Sequence, residues 1–321
     1  MTWINALIIF IAVLAAVVLI ALLTSLICFL KVFYSPRRKV YGPGEYDLPP
    51  GREYEPYYPQ IRGWIDEIRA RDDRVDLSIK SFDGLVLRGY YYEYSENSPI
   101  ELLFHGYGGN SERDLSAGVR RCAALGRSCV LIDQRAAGRS DGNVISFGIN
   151  ERRDCLAWIN YVKERYPNRP IIIGGISMGA ATVMLASGLE LPDEVVCVMA
   201  DCGFSSAKMI IKKVVTEMHL PADLLYPFIK LGARIYGGFD LEADSPIEAV
   251  SRSGTPTVFI HGDADGFVPH AMSEELFGAC KAQKDLVTIE GAEHGLAYPK
   301  NPEKYVESLR EFEKRCGFLK K

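Results

Sequence analysis

The residue with the clearest chemistry is Ser177, in the stretch Ile171-Ile172-Ile173-Gly174-Gly175-Ile176-Ser177-Met178-Gly179-Ala180-Ala181. The β-branched run reads as a strand buried on both faces, and the residues after it as the start of a helix. Gly175 and Gly179 flank the serine in a Gly-x-Ser-x-Gly pattern, which suits a sharp turn that lifts a hydroxyl above a sheet. A serine hydroxyl becomes a nucleophile at neutral pH when a histidine takes its proton, and that histidine needs an acid to fix its tautomer and stabilise its cation. Of the five histidines, only His294 lies in a loop between a late strand pattern and the last helix, within Gly291-Ala292-Glu293-His294-Gly295. The acid candidates follow Val258-Phe259-Ile260. Asp265 is favoured because it precedes Gly266 and the Val268-Pro269 that opens the next helix; Asp263 is an alternative, and Asp201 a third that reads better as a structural turn. The order Ser, Asp, His fits a strand-turn-helix scaffold. An oxyanion needs two amides. Met178, just after the nucleophile, offers one, and Tyr107 in the loop His105-Gly106-Tyr107-Gly108-Gly109-Asn110 the other. That loop lacks the Lys-Ser/Thr ending of a phosphate cradle, and His105 reads as structural.

These groups need a scaffold. Apolar residues alternate from Val75 to Tyr94 around Asp83-Gly84, an antiparallel hairpin signal. Strand patterns follow at Ile100 to Phe104, Cys129 to Ile132, Ile171 to Ile176, Val195 to Ala200, Val258 to Ile260 and Leu286 to Ile289. Helical periodicity alternates with them at Arg113 to Leu125, Glu151 to Tyr166, Met178 to Leu189, Met272 to Ala282 and Pro302 to Phe312. Short apolar strands alternating with helices predict a mostly parallel sheet covered on both faces. Residues 205–250 break the rhythm with helical pattern, Pro221, Pro227 and Gly237-Gly238, and are expected to form a lid over the carboxyl ends of the strands.

The chain begins differently. Ala6 to Leu30 carries no charge and, at about 25 residues, makes a helix of roughly 37 Å, longer than a hydrocarbon core of about 30 Å. Met1 to Asn5 holds no Lys or Arg, which favours an uncleaved transmembrane anchor over residues 1–30 rather than a signal peptide. Lys31, Arg37, Arg38 and Lys39 follow it, so the positive-inside rule places the rest of the chain in the cytoplasm. Residues 40–60, rich in Pro, Gly and Tyr, read as an extended connection, and Ile61, Trp64, Ile65 and Ile68 mark a short amphipathic helix. The expected organisation is an anchor over 1–30, a juxtamembrane linker over 31–73, and a catalytic domain over 74–321 with the insertion at 205–250.

Composition narrows the functional classes. A formal net charge of −4 over 321 residues gives no basic field for nucleic acid. The eight cysteines form no Cys-x-x-Cys pair or Cys/His cluster, so neither a zinc site nor a disulfide framework is expected, and they fit a reducing compartment. No cofactor is expected.

Five segments together resemble the serine hydrolases of the α/β-hydrolase superfamily: His105 to Gly109, Asp133-Gln134-Arg135-Ala136-Ala137-Gly138-Arg139-Ser140, the Ser177 turn, His261 to Pro269, and Gly291 to Gly295. The likeness spans about Val75 to Phe318, and is strongest to bacterial membrane-anchored esterase- or peptidase-like members and to anchored eukaryotic thioesterases. It implies an α/β-hydrolase fold with Ser177 as nucleophile, Asp265 as acid, His294 as base and the amides of Tyr107 and Met178 around the oxyanion. Ala136-Ala137 stands where many relatives carry Gly-His. The implied activity is ester or thioester hydrolysis of a small-molecule or lipid-borne acyl substrate. The alternatives are a serine peptidase of the same fold and a non-catalytic membrane-tethered binding protein.

Overall fold

The computed structural model describes residues 3–36 and 40–317; Arg37, Arg38, Lys39 and Phe318 lie outside the described residues. In chain order the elements are α1 (Trp3–Val32), α2 (Tyr58–Arg69), β1 (Val75–Lys80), β2 (Val86–Tyr92), β3 (Ile100–Phe104), α3 (Ser111–Ala124), β4 (Ser128–Asp133), α4 (Glu151–Arg165), β5 (Ile171–Ile176), α5 (Met178–Ser187) and β6 (Val195–Asp201). They continue with α6 (Ala207–Glu217), α7 (Ala222–Ile235), α8 (Pro246–Arg252), β7 (Thr257–Gly262), α9 (His270–Ala279), β8 (Lys284–Ile289), α10 (Ala297–Lys300) and α11 (Pro302–Cys316).

The eight strands form one sheet in the order β1-β2-β4-β3-β5-β6-β7-β8. β1–β2 and β2–β4 pair antiparallel, and every other neighbouring pair is parallel. This is the mostly parallel sheet that the alternating patterns predict, and its central strands are buried along their length because helices cover both faces. On one face Trp158, Ile159 and Val162 of α4 and Val183 and Ala186 of α5 pack on β3 and β5. On the other, Tyr305, Leu309 and Phe312 of α11 pack on β6 and β7, and Leu115 and Val119 of α3 on Leu103 and Leu131.

The strand order fixes where a site forms. From β3 the chain moves to β4 on one side, then crosses to β5 on the other, so the loops leaving β3 and β5 diverge and leave a crevice at their carboxyl ends. Gly106 and Ser177 meet there, and a Cβ at Gly106 would lie 3.4 Å from the Ser177 Cβ.

Helix α1 is long and apolar enough to cross a membrane. Its side chains from Trp3 to Ile20 are exposed, whereas Ser25 and Phe29 are buried against α7. A Cβ at Gly232 of α7 would stand 2.5 Å from the Ser25 carbonyl oxygen, so only glycine permits this approach. The Tyr236 hydroxyl donates to the Leu22 carbonyl at 3.0 Å. Phe33, fully buried, meets Phe147 and Phe239 edge-on at 5.9 and 5.3 Å. The residues just after the apolar run are therefore part of the domain's packing. The 205–250 segment supplies α6, α7 and most of α8, and α7 is the element on which α1 rests.

Candidate active site

Ser177 stands alone between the last residue of β5 and the first of α5, at φ 56° and ψ −117°, a conformation that costs a residue with a Cβ and persists only where its surroundings impose it. Those surroundings are steric. A Cβ at Gly179 would stand 2.0 Å from the Phe104 carbonyl oxygen, so the helix start presses directly on β3. The Ser177 amide donates to the Asp201 carbonyl at 2.8 Å, holding the turn to β6.

His294 lies in the loop after β8, between Gly291 and Gly295 at φ 63° and 68°. Its Nε2 is 2.9 Å from the Ser177 Oγ, and its Nδ1 is 2.7 Å from Asp265 Oδ2. An ionised carboxylate only accepts, so Nδ1 carries the proton and the Nε2 lone pair faces the serine hydroxyl. Ser177, Asp265 and His294 come from the ends of β5, β7 and β8, and folding brings all three together.

Asp265 accepts two backbone donors on Oδ1, the amides of Phe267 and Val268 at 2.9 and 2.8 Å. On Oδ2 it accepts His294 and, at 3.1 Å, His261 Nε2. Burial raises its pKa, but the hydrogen bonds from His261 and His294 outweigh that, and Asp265 is held far below the usual carboxylate range. His261 also contacts the Val268 carbonyl through Nε2 at 2.9 Å and the Ser273 hydroxyl through Nδ1 at 2.6 Å. Nε2 faces two acceptors and therefore bears the proton. The sequence places His261 at the end of a strand but gives no sign of this support, because its partners come from the following helix and loop.

The alternative acids occupy other places. Asp263 is exposed and accepts the Gly291 amide at 2.6 Å, tying the loop after β7 to the loop that carries His294. Asp201 is buried and accepts the Tyr305 hydroxyl on Oδ2 at 2.9 Å.

Met178 opens α5, and first-turn amides of a helix have no intrahelical partner. The opposite loop is tightly held. His105 Nε2 accepts the Gln134 amide at 3.0 Å and Nδ1 donates to the Gly106 carbonyl at 2.8 Å, the tautomer that a donating amide requires. Burial lowers the His105 pKa, keeping the ring neutral. The Gly106 amide donates to Asp114 at 3.1 Å. Tyr107, exposed, meets Phe147 in a tilted contact at 5.3 Å and donates its hydroxyl to the Val32 carbonyl at 2.9 Å, so this loop touches the end of α1. The segment from Asp133 to Ser140 holds the scaffold: Asp133 accepts the amides of Ser111 and Arg139, and Arg135 Nε pairs with Asp154 at 2.6 Å.

A cavity of about 330 Å³ reaches Ser177 and His294. Its lining is mostly apolar, with Pro49, Pro50 and Tyr54 from the stretch read as an extended connection and Ile61 and Trp64 from α2. No residue of 205–250 lines it, among the described residues. Read as an extended connection, residues 40–60 carry no sequence sign of this wall, whereas the apolar spacing of Ile61 and Trp64 marks the helix that completes it.

The Cys202 thiol lies near Asp265 and His294, with one potential ligand atom of each within 4.8 Å of the others. Burial pushes this thiol well above its ordinary range, so it stays protonated, and the two other groups are engaged with each other. That set does not fit a metal.

Residues 102–235 match the family model described as alpha/beta hydrolase fold. Among curated proteins, the chain is 28% identical over 236 residues to the uncharacterized protein YqkD of Bacillus subtilis (strain 168), covering 73% of this chain and 77% of that one. It is 24% identical over 273 residues to the uncharacterized protein YfhR of Escherichia coli (strain K12), covering 83% and 80%. Among solved structures, the Pyrococcus furiosus esterase Pf2001 superposes with a TM-score of 0.66 at 21% identity, over 88% of this chain and 98% of that one. Est1E from Butyrivibrio proteoclasticus, with ferulic acid bound, gives 0.58 at 22%, over 76% and 100%. The chain has the α/β-hydrolase fold, as its motifs imply.

Proposed function

We propose that this chain is a serine hydrolase that cleaves a carboxylic ester or thioester through an acyl-enzyme on Ser177. The observation that carries the reading is the unbroken relay from Ser177 Oγ to His294 Nε2 at 2.9 Å and from His294 Nδ1 to Asp265 at 2.7 Å. Ser177 Oγ attacks the acyl carbonyl as its proton passes to His294 Nε2, and the carbonyl oxygen becomes an oxyanion facing the amides of Met178 and Tyr107. The tetrahedral intermediate collapses, His294 returns the proton to the departing alkoxide or thiolate, and the acyl group remains on Ser177. Water, deprotonated by His294, then attacks the acyl-enzyme and releases the acid. Asp265 stays ionised throughout and stabilises the imidazolium. An apolar cavity beside the nucleophile supports an acyl chain as the retained half, and two structural neighbours, the Pyrococcus furiosus esterase and Est1E with ferulic acid bound, agree with ester chemistry. A fluorophosphonate probe tests the reading: wild type is labelled and Ser177→Ala is not, whereas equal labelling of both removes it.

In this reading α1 spans the membrane and the domain lies on its cytoplasmic side, supported by the uncharged apolar run and the basic residues after it. The tether keeps the site near lipid-borne substrates. Because Ser25 and Phe29 are packed on α7, the test deletes only Met1 to Ile20. Turnover of a soluble p-nitrophenyl ester persists and turnover of an acyl substrate in vesicles falls about tenfold or more, as loss of high local concentration requires; equal loss of both argues against the tethering role.

A further inference from the structure

Among the polar residues that line the cavity beside Ser177, Asp201 offers an acceptor that the proposed chemistry leaves unused. Leu103, Gly118, Gly174 and Met199 give one part of the cavity's lining an apolar surface, and Asp201 and Tyr305 line it as well. Asp201 is only 8% exposed. Its Oδ2 accepts the Tyr305 hydroxyl, while its Oδ1 is buried without a partner. A buried acceptor left unmatched is costly, and its presence in a native fold asks for a reason.

Neighbouring charges do not supply one. Arg121 lines the same cavity, but its guanidinium pairs with Glu101, which also takes Arg127, and Arg127 pairs in turn with Glu313. Two arginines and two glutamates balance, and Asp201 stands outside that balance. Burial raises its pKa to about 6, against the smaller lowering effects of the Tyr305 bond and of His261, Arg121 and His294. The group is also close to the chemistry: Asp201 pairs with Ile176 in the strand register, and its carbonyl holds the Ser177 amide.

We propose that Asp201 is the polar end of the acyl subsite, with Oδ1 accepting a hydrogen bond from a hydroxyl carried on the acyl portion of the substrate. This rests on the hydrolase reading. The acyl portion is assigned because it stays bound to Ser177 beside the cavity, whereas the leaving group must escape. A neutral hydroxyl is assigned over an ammonium because the Arg121 guanidinium already acts on Asp201 in the same cavity, and the neighbouring Leu103, Gly118, Gly174 and Met199 offer a buried cation no further counter-charge. Asp201 is thereby a specificity residue: a site built around an acceptor disfavours the analogue that leaves it unpaired.

The test compares p-nitrophenyl octanoate with its 3-, 6- and 8-hydroxy and 8-amino analogues on the full chain in detergent. One hydroxy isomer is expected to exceed plain octanoate in kcat/KM by about tenfold or more. Asp201→Leu is expected to bring that ratio to about one. Equal turnover of octanoate and every hydroxy isomer by wild type overturns the subsite, and needs no variant. So does a preference that survives Asp201→Leu, and a stronger preference for the amino ester overturns the neutral-donor assignment. Calorimetry on Ser177→Ala with methyl octanoate and the methyl hydroxyoctanoates reads binding without turnover. If wild type hydrolyses none of the esters, the hydrolase reading falls, while the subsite still stands or falls on whether a hydroxy ester binds about tenfold more tightly than methyl octanoate.

Discussion

Two buried carboxyls lie at the ends of neighbouring strands, and their environments send them in opposite directions. Asp265, after β7, has four donors converging on it. Asp201, the last residue of β6, has one side-chain donor and an oxygen with none. Both are less than a tenth exposed. Burial raises both pKa values, so burial does not distinguish them; the number of donors does. Asp265 is held ionised well below the carboxylate range, and Asp201 is raised to about 6. One carboxyl is fixed in charge and orientation, as a partner for His294 must be, and the other keeps an acceptor in reserve.

The sharpest way to break this contrast is to exchange each carboxyl for an amide. Asp265→Asn keeps the shape but presents an NH2 to His294, favouring the wrong tautomer, and is expected to lower kcat for p-nitrophenyl ester hydrolysis by about four orders of magnitude. A loss under tenfold means that Asp265 does not orient the base.

Asp201→Asn should act on stability with the opposite sense. The folded-state pKa of Asp201 lies above its unfolded value, so its contribution is most favourable below about pH 4 and is lost as pH rises toward 6. Above pH 6 the ionised carboxylate costs about 3 kcal/mol relative to the unfolded chain. Asparagine cannot ionise. The variant's thermal midpoint is therefore expected to rise relative to wild type between pH 4 and 7, and parallel curves across that range remove the assignment. Asp265, with its folded pKa depressed, contributes stability above its unfolded pKa that is lost as pH falls.

The smallest expected effect comes from removing one of the four donors. His261→Ala leaves His294 and both amides on Asp265, and is expected to lower kcat by about tenfold while moving the acidic limb of the pH–rate profile upward. An unchanged limb with a lower melting point means that His261 only packs.

The Ser177 turn, the loop of His294 and the strand-helix alternation were legible because each is local: adjacent glycines and runs of one periodicity are readable without knowing what lies across the fold. The apolar length of α1 was legible for the same reason. Asp265 and Asp263 stand only two residues apart and differ in what reaches them, which the sequence leaves open: Asp263 holds the Gly291 amide, and Asp265 receives His294. The wall formed by Pro49 to Tyr54, the packing of α7 on α1 and the Tyr305 bond to Asp201 were not legible. Each joins residues tens to hundreds of positions apart, and no local period encodes which distant side chain will face which.

The sequence by itself determined the kinds of groups available and their order along the chain, because a hydroxyl, an imidazole and a carboxyl are matters of residue type and the turns that display them are matters of near neighbours. Only the tertiary structure decided how many donors each carboxyl receives. A hydrogen bond requires atoms within about 3 Å, and at Asp201 and Asp265 those atoms arrive partly from helices and loops that the chain adds long after the strands are laid down.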